Sequence, residues 1–109
     1  MALGFNSSIL YTGSMGASFV TDPIYLPTQT GFCVHAIFTD ASAPVGSFTI
    51  ETSIDGSTWA TLADSTQAIS AAGDHFYSIS RVSYPMARLK WTRTSGSGDI
   101  TVHAFAKGQ

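Results

Sequence analysis

"SFTIETSIDGSTWATL", residues 47–62, holds two patterns whose combination sets the fold class. Phe48, Ile50 and Ile54 fall on one side of a period-two alternation, with Thr49, Glu51 and Ser53 on the other. A half-buried β-strand reads this way, because successive side chains point to opposite faces of the sheet. Asp55-Gly56 then marks a hairpin, since glycine supplies the positive φ that a twisted turn needs. Thr58 to Leu62 is expected to run back as a short strand delivering Trp59 and Leu62 to the core side. Trp59 is expected to plug the core, because a buried aromatic of ~200 Å² dominates a small domain. The competing reading makes it an exposed platform for a sugar ring.

The same alternation recurs outward from this stretch. Phe32, Val34, Ala36 and Phe38 oppose Cys33, His35 and Thr39 in "GFCVHAIFTD" (31–40). Ala87, Leu89 and Trp91 alternate with Arg88, Lys90 and Thr92, which places Trp91 in the core. Ile100, Val102, Ala104 and Ala106 alternate with Thr101, His103, Phe105 and Lys107. Turn signals separate the runs: "TGSMG" (12–16), "TDP" (21–23), "PTQTG" (27–31), "TDASAPVG" (39–46), "AAGD" (71–74), "SYP" (83–85) and "SGSGD" (95–99). The last is read as a flexible hairpin loop joining the two final strands. No long window keeps a helical period. The expectation is an all-β, antiparallel β-sandwich forming one domain over residues 1–109.

Composition narrows the function classes. Charged residues make up 11% of the 109-residue chain, against about 25% in soluble domains generally. Fifteen serines and thirteen threonines fill the gap. Burying a hydroxyl costs far less than burying a charge, so such a surface suits contact with another subunit. The first eighty residues carry six acids and no Lys or Arg, a charge of −6; the remainder carries five bases and Asp99, a charge of +4. Blocks of opposite sign pair either within one fold or between subunits. Cys33 is the lone cysteine, which excludes an intrachain disulfide, and its apolar neighbours point to an inert buried thiol. "MALGFNSSIL" lacks a basic n-region, and no apolar stretch approaches the ~18 residues of a membrane helix. The expectation is a chain made in the cytoplasm with no membrane span.

Motifs for chemistry are missing. His35, His75 and His103 lack metal-ligand spacing. His35 and His103 both alternate outward, so they would form a two-histidine site only if their strands were neighbours. No Gly-x-Ser-x-Gly elbow or phosphate loop is present. No catalytic residue, metal ligand or cofactor is assigned, and the chain is read as a non-enzyme. Arg88, Lys90 and Arg93, near Arg81, form a basic stripe too thin for nucleic acid at a pI near 5.8. It is read as salt bridges to the acidic block or as a subunit contact. Phe105 and Tyr77 are expected as outward aromatics needing a cover. Arg88, Lys90 and Phe105 are thus the expected contact surface, with Asp55, Gly56, Trp59 and Trp91 as turn and core.

The order "GFCVHAIFT", "APVGSFTIETSIDGSTWATL", "AISAAGDHFYSIS", "YPMARLKWTRTSGSGDITVHAFAKG" resembles a recurrent type of small bacteriophage structural protein. The shared features are a Gly-Ser/Thr-Phe-Thr strand, a Ser-x-Asp-Gly-x-x-Trp turn, and an Arg-Leu-x-Trp/Tyr-Thr strand leading into Thr-Ser-Gly-Ser-Gly and Ala-Lys-Gly. The resemblance covers about residues 16–108. It implies a jelly-roll-like β-sandwich in the virion, a capsid decoration, spike or tail-associated component. It also implies homo-oligomers, often trimers, docked on other virion proteins. Asp-Gly-x-x-Trp with a later Arg-Leu is also similar to discoidin-type and other carbohydrate-binding β-sandwiches, which implies a host-surface glycan as partner.

Overall fold

A computed structural model describes residues 7–26, 29–70 and 74–108. It contains eight strands: β1 Ser7–Ser14, β2 Phe19–Val20, β3 Ile24–Tyr25, β4 Gln29–Ser53, β5 Ala60–Thr61, β6 Gln67–Ile69, β7 His75–Ile79 and β8 Met86–Gly108. Among the described residues there is no helix. The "AAGD" turn and the N-terminal residues lie wholly or partly outside the description.

β4 and β8 are antiparallel partners along their whole length, from Gln29 opposite Gly108 to Ser53 opposite Met86. β1, β2 and β3 follow one another along the free edge of β8. β7, β6 and β5 do the same along β4. The result is one antiparallel sheet, curled into a half-barrel.

This arrangement corrects two expected turns. "TDASAPVG" and "SGSGD" stay in the ladder as partners of each other: Asp40 faces Asp99, Ala41 faces Gly98, Ser42 faces Ser97 and Val45 faces Ser95. The final "hairpin" is therefore one continuous strand. Register shifts fall between Phe38 and Asp40, Ser42 and Val45, and Val45 and Gly46. Each such irregularity bends the strand and increases its twist. Pro44 is buried there, a place where a strand tolerates a missing N–H. Opposite it, Gly96 (φ 78°) and Gly98 (φ 147°) adopt backbone that other residues resist. Glycine and proline interrupt a strand pattern equally at a turn or at a bulge, so local sequence does not separate the two.

The bend brings both halves of the sheet onto one core. Val34, Ala36, Val102 and Ala104 from one half cluster with Phe48, Ile50, Leu89 and Trp91 from the other. The Phe48 ring lies 4.9 Å from Trp91, 6.4 Å from Phe38 and 5.8 Å from His75. Trp91 is fully buried, and its Nε1–H donates to the Met15 carbonyl at 3.2 Å. The Tyr77 hydroxyl donates its one proton to the Ser65 carbonyl at 2.6 Å and lies 3.0 Å from the Phe48 carbonyl, pinning β7 to the far half. Burial raises the Tyr77 pKa, so this donor stays protonated.

Three orientations differ from expectation. Tyr77 is inward and Phe76 outward at 54% exposure. Val34 is the cross-strand partner of Tyr77, and directly opposed residues share a face. Ile54 is 81% exposed because β4 ends at Ser53 and the loop begins. Trp59 is outside the core cluster, as described below.

Gly46 is the closest approach in the bend. A Cβ there would strike the Thr92 carbonyl oxygen and come within 2.7 Å of the Trp91 ring. Gly46→Ala is expected to cost about 1–3 kcal/mol by urea denaturation. A neutral effect would mean that the bend is loose.

His75 gives a pH dependence. Its Nε2 is buried without a hydrogen-bond partner among the described residues, beside Phe38 and Phe48. Burial lowers its pKa, opposed by the Asp74 charge. The unfolded chain then binds this proton more readily than the folded one. Stability should be full above about pH 6.5 and fall as pH drops from there toward the lowered folded value. His75→Phe should flatten thermal midpoints between pH 7.5 and 5; an unchanged slope would locate the effect elsewhere.

Candidate functional site

The quoted loop sits where β4 hands over to β5, with Glu51 opposite Thr61 and Thr52 opposite Ala60. Asp55 organises it. Its Oδ1 accepts the N–H groups of Ser57 and Thr58, each at 2.8 Å, and the Ser53 hydroxyl at 3.3 Å. Those donors, Thr58 foremost, hold the carboxyl below the usual aspartate range. Gly56, at φ 81°, supplies the left-handed turn, and its N–H donates to Ser53 Oγ at 2.8 Å. The turn role expected of Asp55 and Gly56 is therefore visible atom by atom.

Trp59 is half-buried and lies on Arg88, whose Cζ is 4.1 Å from the ring centroid. Leu62 does reach the core. The core-plug reading asked both for one face, yet positions an odd number apart point to opposite faces of a strand. With only Ala60 and Thr61 paired, the strand sends Leu62 in and leaves Trp59 out.

Arg88 is held from two sides. It is the cross-strand partner of Glu51, and its Nε–H donates to Glu51 Oε1 at 2.9 Å while Trp59 covers the guanidinium. Lys90 Nζ is 3.9 Å from the other Glu51 oxygen. Glu51 is 8% exposed, so its charge is compensated within the chain. The basic stripe thus meets the acidic block inside one fold. Arg93 turns instead to its own bend, its Nε–H donating to the Gly96 carbonyl at 2.8 Å.

Beside this network, the loop and the Ser83–Tyr84 segment enclose an open cleft of about 500 Å³. Thr52, Ser53, Asp55, Thr58 and Ser83 give it hydroxyls and one carboxylate, while Ile54 and Tyr84 give it apolar wall. The Tyr84 hydroxyl is buried without a partner among the described residues, and burial raises its pKa.

The other half of the sheet has a different outer face. One row across four strands reads Ile9, His103, His35, Phe76; the next reads Ser7, Phe105, Cys33, Ser78. His35 and His103 are therefore neighbours. Ile9 is 60% exposed, and these rows contain no Asp, Glu, Lys or Arg. Cys33 is half-buried rather than buried, with Sγ 3.9 Å from Ser78 Oγ. Phe105 is outward as expected, but Arg88 and Lys90 belong to the opposite end of β8 and do not join it. Among the described residues, no three His, Cys, Asp or Glu side chains cluster as a metal site.

No protein-family model matches this sequence, and no curated protein matches it significantly.

The expected consequence concerns Arg88. Replacing it with Glu sets a second carboxylate against Glu51 in a half-buried place. Arg88→Glu should destabilise the fold by about 2–4 kcal/mol in urea. Trp59→Ala should cost only about 1 kcal/mol, the scale of a cation–π contact. A tryptophan variant that fails to fold would restore the core-plug reading.

Proposed function

We propose that this chain is a non-enzymatic structural component of a bacteriophage particle, a capsid decoration, spike or tail-associated protein. It works by packing against copies of itself and against other virion proteins. On this reading the curled sheet is a variant of a jelly-roll-like sandwich, synthesised in the host cytoplasm and resident in the virion. The observation that carries it is the outer row Ile9, His103, His35, Phe76, whose two apolar ends are more than half exposed. Monomers rarely leave such apolar patches to water. The resemblance of "GSFTIETSIDGSTW" and "ARLKWTRTSGSG" to phage structural proteins supports the same reading.

The cleft beside Asp55 favours a second reading, a carbohydrate-binding module used in adsorption. Clefts of roughly 300–1,000 Å³ suit small ligands, and a mainly apolar wall with a few hydroxyls suits a sugar ring, which has apolar faces and hydroxyl edges.

Sedimentation velocity separates the two. The virion reading expects a homo-oligomer whose mass falls to the monomer in Phe76→Ser/Ile9→Ser, with the melting temperature unchanged. A strict monomer at high concentration, without affinity for particles, would end that reading. The adsorption reading expects glycan-array binding that Trp59→Ala or Asp55→Ala weakens without unfolding the chain.

A further inference from the structure

We propose that the open edge of β7 pairs antiparallel with β7 of a second copy, joining two chains through one continuous sheet. The inference rests on the self-packing reading above and names the surface that performs it. Among the described residues no strand occupies this edge, because β7 pairs with β4 alone. An unpaired edge presents N–H and C=O groups to any strand that can reach them.

The other edges are short or covered. β2, β3, β5 and β6 are two or three residues long. On β1, the Leu10 carbonyl accepts the Asp22 N–H at 3.2 Å, and the Tyr11 ring stacks on Phe19 at 3.9 Å. On β7, Gln67 Nε2 donates to the Phe76 carbonyl at 3.4 Å, from outside the β4–β7 ladder. That carbonyl therefore faces the open edge, and so do the N–H and C=O of Ser78, two residues on. The contact is longer than the ~2.9–3.0 Å usual for N–H···O, so a strand N–H can replace it.

Charge selects a second copy as the partner. The stretch "DHFYSISR", residues 74–81, begins with an acid and ends with a base. An antiparallel copy sets Asp74 of each chain beside Arg81 of the other, twice by symmetry. Arg88 and Lys90 meet Glu51 within the fold, whereas exposed Arg81 has no ion-pair partner among the described residues. Asp74 faces His35 at 3.5 Å with its side chain 59% exposed, which leaves it open to a cation.

The faces fix the register. Directly opposed residues lie on one face of a sheet, so exposed positions must meet exposed positions. Centring the pair on Tyr77 achieves this with all five residues of β7. His75 then opposes Ile79 of the second copy, Phe76 opposes Ser78, and Tyr77 opposes Tyr77. Asp74 falls opposite Ser80, one position from Arg81 and within reach of its long side chain. The two Phe76 rings become diagonal neighbours about 7–8 Å apart, close enough for aromatic contact. The pairing thereby covers Phe76, which is 54% exposed in the single chain.

Sedimentation velocity of the full chain over a concentration series tests this, with thermal melting to show that each variant folds. A dimer is expected. Asp74→Arg and Arg81→Asp should each raise its dissociation constant about tenfold or more, because each sets like charges together twice. The double variant Asp74→Arg/Arg81→Asp should return to within about threefold of the parent, a recovery that only facing partners give. Ser78→Pro removes an edge N–H, leaves the β4 ladder intact and should give monomers. If the parent associates and the single charge variants associate equally well, the edge proposal is overturned while self-packing stands. A double variant as weak as the singles, or a folded Ser78→Pro that stays dimeric, overturns it too. A parent that remains monomeric throughout overturns both.

Discussion

The end-to-end pairing of Gln29–Ser53 with Met86–Gly108 is the constraint from which the remaining structure follows. A slip of one residue would move every inward side chain to the outer face. The ladder also makes the two weak stretches, 40–45 and 95–99, partners of each other. A ribbon bends where both of its strands yield together. With bulges and Pro44 on one strand and two positive-φ glycines on the other, the ribbon bends at this stretch. The short strands then attach to whichever half lies beside them, and Phe48, Trp91 and Tyr77 close the interior.

The two halves differ in how they meet solvent. The half built on Gly46–Ser53 and Met86–Arg93 has edges of two or three residues each, β2, β3, β5 and β6. Short edges resist pairing with another chain. Its outer face holds Arg88, Lys90 and Trp59 over Glu51. The half built on Phe32–Phe38 and Ile100–Ala106 carries the longer strands β1 and β7 and the uncharged rows. Under the proposed assembly, contacts with neighbours belong to this second half, through its face. Phe105 lies on that face, whereas Arg88 and Lys90 lie on the other half, over Glu51.

Much of this was legible in the residues. Phe32, Val34, Ala36, Phe48, Ile50, Leu89, Trp91, Val102 and Ala104 are all buried, as their alternation required. The turn chemistry of Asp55-Gly56 was readable because its partners are close in sequence. Failures came where position depends on a distant partner. "HFYSI" has aromatics on both faces, so only its pairing with Val34 decides that Tyr77 goes in. Trp59 was misplaced because the returning strand is two residues long, and propensity does not set that length. The partnership of His35 with His103 spans 68 positions and has no local signature.

The histidines show how far parity alone goes in assigning chemistry. His75 opposes the inward Ala36, so it enters the aromatic cluster and resists protonation. His35 is one residue earlier in β4, so it faces out, opposite His103 in β8 and against Asp74 and Phe76. An identical side chain is thus packed among aromatic rings in one place and against an exposed carboxylate in another. Place in the ladder, and not residue type, decides what each ring meets. His35, His75 and His103 all lie in or against the half that bears the rows Ile9–His103–His35–Phe76 and Ser7–Phe105–Cys33–Ser78.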